Sequence, residues 1–153
     1  MTSPILKTLT RSPEETEAAG AALANILINE DRSLPRFIAM YGDLGSGKTA
    51  FTRGFASVAS PSSAVRSPTF TIVNEYRGGD TPVFHFDMYR INGEDDLYSI
   101  GFYDYLDRKG ICLVEWSENI EFALPDRYLR VELVKDDPAQ PDSRRIVVSQ
   151  IGA

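Results

Sequence analysis

The stretch Phe37-Ile38-Ala39-Met40-Tyr41-Gly42-Asp43-Leu44-Gly45-Ser46-Gly47-Lys48-Thr49-Ala50-Phe51 decides the fold. Its first five residues form an almost wholly apolar run, which suits a strand covered on both faces. Glycines follow at once. Beyond Lys48, the residues Phe51, Phe55 and Val58 recur at helical spacing, predicting a helix that ends near Ser60-Pro61. Gly42 to Thr49 satisfies G-x-x-x-x-G-K-[ST] in the strand-to-helix context that this pattern requires. Glycines let the backbone close around phosphate oxygens with its N–H groups inward, and the helix N-terminus adds partial positive charge. Lys48 then neutralises β- and γ-phosphates, and Thr49 supplies a hydroxyl ligand for Mg²⁺. The candidate nucleotide contacts are therefore Asp43, Leu44, Gly45, Ser46, Gly47, Lys48, Thr49 and Ala50.

Working outward, Ile5 to Leu9 reads as a short strand. Ser12-Pro13-Glu14-Glu15 is a capping box with proline at the first helical position. Ala19, Ala22, Leu23, Ile26 and Leu27 then mark one buried helical face, so a helix over residues 13–29 is predicted. Pro61 to Pro68 is a serine- and proline-containing loop. Thr69 to Tyr76 and Pro82 to Tyr89, separated by Gly78-Gly79-Asp80, read as a hairpin. Short helices are expected around Leu97 and around Tyr105-Leu106, and Ile111 to Val114 is a second buried strand. Tyr128 to Val134 and Arg144 to Ile151 are strands joined by the Asp/Pro-rich connection 136–142.

Bulk properties narrow the class. The chain has 153 residues with 16 Lys+Arg against 22 Asp+Glu, a net charge of −6, and 42% hydrophobic residues. That suits one domain spanning 1–153 with a core that needs no disulfide or structural metal. An acidic surface argues against autonomous binding of DNA or RNA, while leaving RNA presented by a partner open. A single cysteine, Cys112, and no apolar run long enough to span a bilayer point to a reducing, cytoplasmic setting. Cys112 itself reads as core.

Two carboxylates stand out. Glu115 follows the apolar Leu113-Val114, where a buried carboxylate is costly unless paired or ligated, so it is a candidate Mg²⁺ ligand; a solvated glutamate just past the strand is the alternative. In His85-Phe86-Asp87-Met88-Tyr89-Arg90, strand alternation puts His85 and Asp87 on one face. Asp87 is a candidate to hold the attacking water or the metal; the alternative is a His85–Asp87 pair on a half-exposed strand. Thr69, after Ser67-Pro68, is placed to sense a γ-phosphate, or simply starts a strand. Trp116 packs near the nucleotide or in the core. No Asn-Lys-x-Asp guanine signature occurs, which disfavours GTP.

Taken together, Gly42-Asp43-Leu44-Gly45-Ser46-Gly47-Lys48-Thr49, Thr52-Arg53-Gly54, Ser67-Pro68-Thr69-Phe70, Glu75-Tyr76, His85-Phe86-Asp87-Met88-Tyr89-Arg90, Gly101 and Val114-Glu115-Trp116-Ser117-Glu118 resemble the TsaE (YjeE) family, covering most of residues 12–118. The resemblance implies an α/β, P-loop NTPase-like three-layer sandwich, its mixed, mainly parallel sheet carrying antiparallel hairpins and flanked by helices. It implies ATP and Mg²⁺ as cofactors and slow ATP hydrolysis. It also implies TsaB and TsaD as partners in threonylcarbamoyladenosine modification at position 37 of tRNA, with the tRNA met only through the complex. By position, Lys48 would be the phosphate-binding lysine, Thr49 and Glu115 the Mg²⁺ ligands, Asp87 a second essential carboxylate, and Thr69 the switch threonine. Ser12 would approach the adenine side and Arg144 the nucleotide. The alternative class is a small-metabolite kinase, with Arg127, Arg130, Arg144 and Arg145 as a phosphate-clamping lid, although the tail around them reads as strands.

Overall fold

The structure, a computed structural model, describes residues 2–42, 47–66 and 72–152. The element order is β1 (Thr2–Thr10), α1 (Pro13–Asn25), β2 (Phe37–Tyr41), α2 (Lys48–Ala59), β3 (Val73–Tyr76), β4 (Val83–Asp87), α3 (Glu94–Ser99), α4 (Phe102–Asp107), β5 (Ile111–Glu115), β6 (Tyr128–Asp137) and β7 (Gln140–Ile151). All seven strands form one mixed sheet in the order β1-β7-β6-β2-β5-β4-β3. Strands β6, β2, β5 and β4 pair in parallel, and antiparallel pairings at both flanks leave five of the seven strands running one way.

The central strands are apolar throughout because both faces are covered. Ile38, Met40 and Leu113 of β2 and β5 join a core with Leu23 and Leu27 from the α1 side and Phe51 and Phe55 of α2. Phe37, Ala39, Phe84, Phe86 and Val114 point the other way, onto Leu97 of α3 and Phe102 of α4. Each fully buried leucine, isoleucine, valine, methionine or phenylalanine here contributes roughly 1.5–3 kcal/mol. That second layer is aromatic: Phe86 meets Phe102 edge-to-face at 5.5 Å and Phe84 meets Tyr105 at 5.0 Å between ring centroids.

Helices α1 and α2 approach backbone to backbone. A Cβ on Gly20 would stand 2.0 Å from the Phe51 carbonyl oxygen, and one on Gly54 would stand 1.7 Å from that of Glu17. Two glycines thus bring α1 against the helix that carries Lys48.

Two boundaries differ from expectation. The helix predicted over 13–29 is α-helical only to Asn25, after which Ile26–Glu30 forms a π-turn, with the Asp31 N–H donating to the Ile26 carbonyl at 2.7 Å. Asn25, Asn29 and Glu30 hydrogen-bond one another along this turn. The connection expected over 136–142 is mostly strand. Asp137 pairs with Gln140, so the hairpin turns on Pro138 and Ala139 alone. The Asp137 carboxylate accepts from the Ala139 N–H, and Asp136 pairs with Arg145 at 2.7 Å.

Candidate functional site

Strand β2 delivers the chain to Gly42, and Gly47 returns it to α2 with φ +102°, a conformation that L side chains rarely adopt. Lys48 opens α2 yet is only 6% exposed. Its Nζ donates to the Gly42 carbonyl at 2.7 Å, spanning the loop, and lies 4.3 Å from the centre of the Trp116 ring. Among the described residues no carboxylate forms a salt bridge with it. Among the described residues this buried ammonium is held by one carbonyl and one aromatic face, surroundings in which an anionic partner would be favourable.

Two carboxylates stand at the same end of the sheet. Asp87 and Glu115 are register partners at the C-terminal ends of the parallel strands β4 and β5, and β5 in turn pairs with β2. Both are nearly buried, at 9% and 6% exposure. The Tyr89 N–H donates to Asp87 Oδ1 at 3.0 Å. Glu115 Oε2 lies 2.5 Å from His85 Nε2, and His85 Nδ1 lies 2.9 Å from the Tyr76 hydroxyl. The other Glu115 oxygen has no hydrogen-bond partner among the described residues. Strand β4 is buried along its whole length, and the paired histidine reaches Glu115, so the reading of a half-exposed His85–Asp87 pair is corrected. A solvated Glu115 is excluded in the same way.

Backbone strain brackets the carboxylates. Among the described residues, Ile72 (φ 69°) and Trp116 (φ 57°) are the non-glycine residues with positive φ, and positive φ in a β-branched residue costs of order 1–3 kcal/mol. The Ile72 carbonyl accepts from the Asp87 N–H at 2.8 Å, while Trp116 directly follows Glu115 and packs against Tyr89 with the two rings tilted and their centroids 5.0 Å apart. The strained turn at Trp116 brings its indole over Lys48.

The remaining candidates divide. Thr49 is exposed and Ala50 half-buried on the first turn of α2. Ser12 caps α1, its hydroxyl accepting from the Glu15 N–H at 3.1 Å, while the Glu15 carboxylate accepts from the Arg11 N–H, one residue before the N-cap, so only the forward half of the expected capping box forms. A Cβ on Gly47 would lie 3.4 Å from Thr16 Cγ2 and 3.6 Å from Arg144 Nε, so the start of α1 and strand β7 both border the end of the loop. Asp43, Leu44, Gly45, Ser46 and Thr69 lie outside the described residues. Sequence reasoning missed the Tyr76–His85–Glu115 chain and the neighbourhood of Thr16. The alternation of β4 and the capping box placed those residues, but only the sheet order says what they meet.

Among the described residues no group of three His, Cys, Asp or Glu side chains gathers as a self-sufficient metal cage. Asp87 and Glu115, paired in register at neighbouring strand ends, are the carboxylates that could hold a hard cation such as Mg²⁺, which keeps waters and takes one or two carboxylates together with substrate phosphates. A cavity of about 410 Å³ lined by Phe37, Tyr105, Arg108 and Cys112 opens at the opposite end of the sheet, away from these groups. Of the arginines considered for a lid, Arg130, Arg144 and Arg145 lie on strands, and Arg130 is held over the Tyr41 ring at 3.9 Å.

A strand and a helix joined through the Gly42–Thr49 motif, on a mixed sheet with acidic residues ending two neighbouring parallel strands, define a P-loop NTPase-like α/β protein. Residues 10–146 match the family model described as "Threonylcarbamoyl adenosine biosynthesis protein TsaE". The chain belongs to the TsaE family. It is 39% identical over 147 residues to the tRNA threonylcarbamoyladenosine biosynthesis protein TsaE of Bacillus subtilis, covering 96% of this chain and 87% of that protein. Its Haemophilus influenzae counterpart is 36% identical over 121 residues, 79% of this chain and 77% of the relative. The crystal structure of Bacillus subtilis YdiB superposes with a TM-score of 0.78 at 33% identity, covering 99% of this chain and 88% of that one. Among the described residues no helix is long and apolar enough to cross a membrane.

Proposed function

We propose that the chain is the ATP-binding, Mg²⁺-dependent ATPase subunit of tRNA threonylcarbamoyladenosine biosynthesis. It works with TsaB and TsaD at position 37 of tRNAs that read codons beginning with A, in the cytoplasm. One observation carries the reading: a buried Lys48 ammonium without a carboxylate partner among the described residues, at the sheet end where Asp87 and Glu115 stand side by side. MgATP, when bound, supplies the γ-phosphoryl group that passes to water. Lys48 turns its charge from the Gly42 carbonyl to the phosphates, and the loop residues Asp43 to Ala50 cradle them. Thr49 and Glu115 hold the metal, and Asp87 orients the attacking water or a metal-bound water. Thr69 senses the γ-phosphate, with Arg144 and the Ser12 end of α1 bordering the nucleotide.

The acidic net charge of −6 supports tRNA being held by the partners while this subunit supplies the ATP-driven step. The test is reconstitution of tRNA modification with TsaB and TsaD, with and without this chain and ATP. Lys48→Ala is expected to abolish ATP hydrolysis, most ATP affinity and the stimulation of modification. Unchanged turnover in that variant sinks the assignment.

A further inference from the structure

Tyr76, His85 and Glu115 come from three strands, β3, β4 and β5, and meet as one buried hydrogen-bonded chain. His85 is fully buried, and the sheet around it is apolar, so a valine or leucine there would fill the space without the cost of desolvating two ring nitrogens. A polar chain in such a place is a liability to stability unless it fixes the geometry of something else. At its inner end it fixes a carboxylate: His85 Nε2 engages Oε2 and leaves Oε1, without a described hydrogen-bond partner, as the donor for a cation. At its outer end it fixes a backbone. The Tyr76 hydroxyl donates to the Arg66 carbonyl at 3.0 Å, the Arg66 N–H points back to the phenol oxygen at 3.3 Å, and Asn74 Nδ2 donates to the same carbonyl at 3.0 Å.

Resting on the metal-nucleotide reading of the site above, we infer that His85 and Tyr76 are positioning residues for the metal. His85 orients Glu115 toward the cation, and Tyr76 transmits the occupancy of that carboxylate to the backbone at Arg66. The physical basis is that hydrogen-bonded partners of a metal-ligating carboxylate set its orientation, and their loss costs about 10–100-fold in metal affinity. Because coupling between two sites is reciprocal, metal held at Glu115 must also bias the Arg66 backbone.

Two amide variants separate this from a merely structural role. Asn at 85 places its nitrogen near the position of Nδ1, keeping a partner for Tyr76 and abandoning Glu115. Gln at 85 reaches the position of Nε2 and keeps Glu115. Mn²⁺ binding is measured by electron paramagnetic resonance on the full chain with ADP, alongside calorimetric ADP affinity without metal and a thermal melt for each variant. His85→Asn is expected to weaken Mn²⁺ binding at least about tenfold, His85→Gln to recover most of that loss, and metal-free ADP affinity to stay at the parent value in both.

The second readout is tryptic cleavage after Arg66, followed by mass spectrometry. In the parent, adding Mn²⁺ to the ADP complex is expected to slow this cleavage about fivefold. Tyr76→Phe, which leaves the His85–Glu115 contact in place, is expected to lose that response while still binding Mn²⁺. The inference is overturned if folded His85→Asn and His85→Gln proteins bind Mn²⁺ equally well, or if cleavage in Tyr76→Phe responds to Mn²⁺ as in the parent. A parent that binds ADP no better than Lys48→Ala instead overturns the nucleotide reading, and with it this inference.

Discussion

Asp87 and Glu115 are register partners across two parallel strands, so their carboxylates leave the sheet side by side at one end of it. Neighbouring strands lie about 4.8 Å apart, which places two acidic groups within reach of one cation. Substitution can isolate their charge from their packing. Asp87→Asn keeps an acceptor for the Tyr89 N–H, and Glu115→Gln keeps one for His85. Both variants are expected to melt within a few degrees of the parent and to bind metal-free ATP normally. Hydrolysis is expected to fall by about two orders of magnitude, the usual scale for removing a charge that acts in the transition state. Steady-state phosphate release with parallel calorimetry measures both effects.

The Gly20 and Gly54 contacts make a prediction about stability alone. A methyl at position 54 would collide with the Glu17 backbone, which belongs to a packed helix and has no flexible end to yield. Gly54→Ala is therefore expected to destabilise the fold by about 1–3 kcal/mol despite alanine's better helix propensity. Urea unfolding of Gly54→Ala checks this, and an increase in stability would contradict the close approach of α1 and α2.

Tyr41 ends β2 with its hydroxyl buried and unpaired among the described residues, and burial raises its ionisation well above the ordinary phenol range. Deleting an unsatisfied buried group removes a desolvation penalty without losing a bond. Tyr41→Phe is expected to be neutral or stabilising by up to about 1 kcal/mol, whereas loss of a satisfied tyrosine hydroxyl costs about that much. Thermal or urea denaturation distinguishes the two.

Cys112 sits in the aromatic layer, and burial pushes its thiol from the ordinary value of 9.0 up to about 12. The unfolded chain releases this proton above pH 9 while the folded one retains it to about 12. The stability it contributes is thus complete below pH 9 and is lost as pH rises towards 12. Cys112→Ala is expected to flatten that alkaline decline in denaturation experiments. At pH 8 the native thiol is expected to resist disulfide reagents until the protein opens.

Much of this site was legible locally. Phe37 to Lys48 carries its own instructions, since an apolar run, spaced glycines and a helical repeat each act over a few residues. The β3–β4 and β6–β7 hairpins followed from runs of β-branched residues between turn formers. What escaped depends on chain-distant neighbours. His85 chooses Glu115 over Asp87 because β5 lies beside β4, a fact of sheet order that no periodicity encodes. The 136–142 connection misled for a different reason: Asp and Pro read as loop formers, yet Arg145 neutralises Asp136 and leaves Pro138 only the turn it suits. Gly20 was passed over in the helical pattern, because its reason is the backbone of Phe51 on another helix.

The strand order β2-β5-β4 also sets a sequence of events in time. Hairpins such as β3–β4 and β6–β7 form in microseconds, whereas joining Ile38 to Leu113 must first close a loop that contains α2, α3 and α4. Glu115 therefore reaches its place in line with β2 only when this long-range pairing closes. A ligand bridging the two would reward only the finished sheet, so its stabilisation belongs to slower unfolding and not to faster folding.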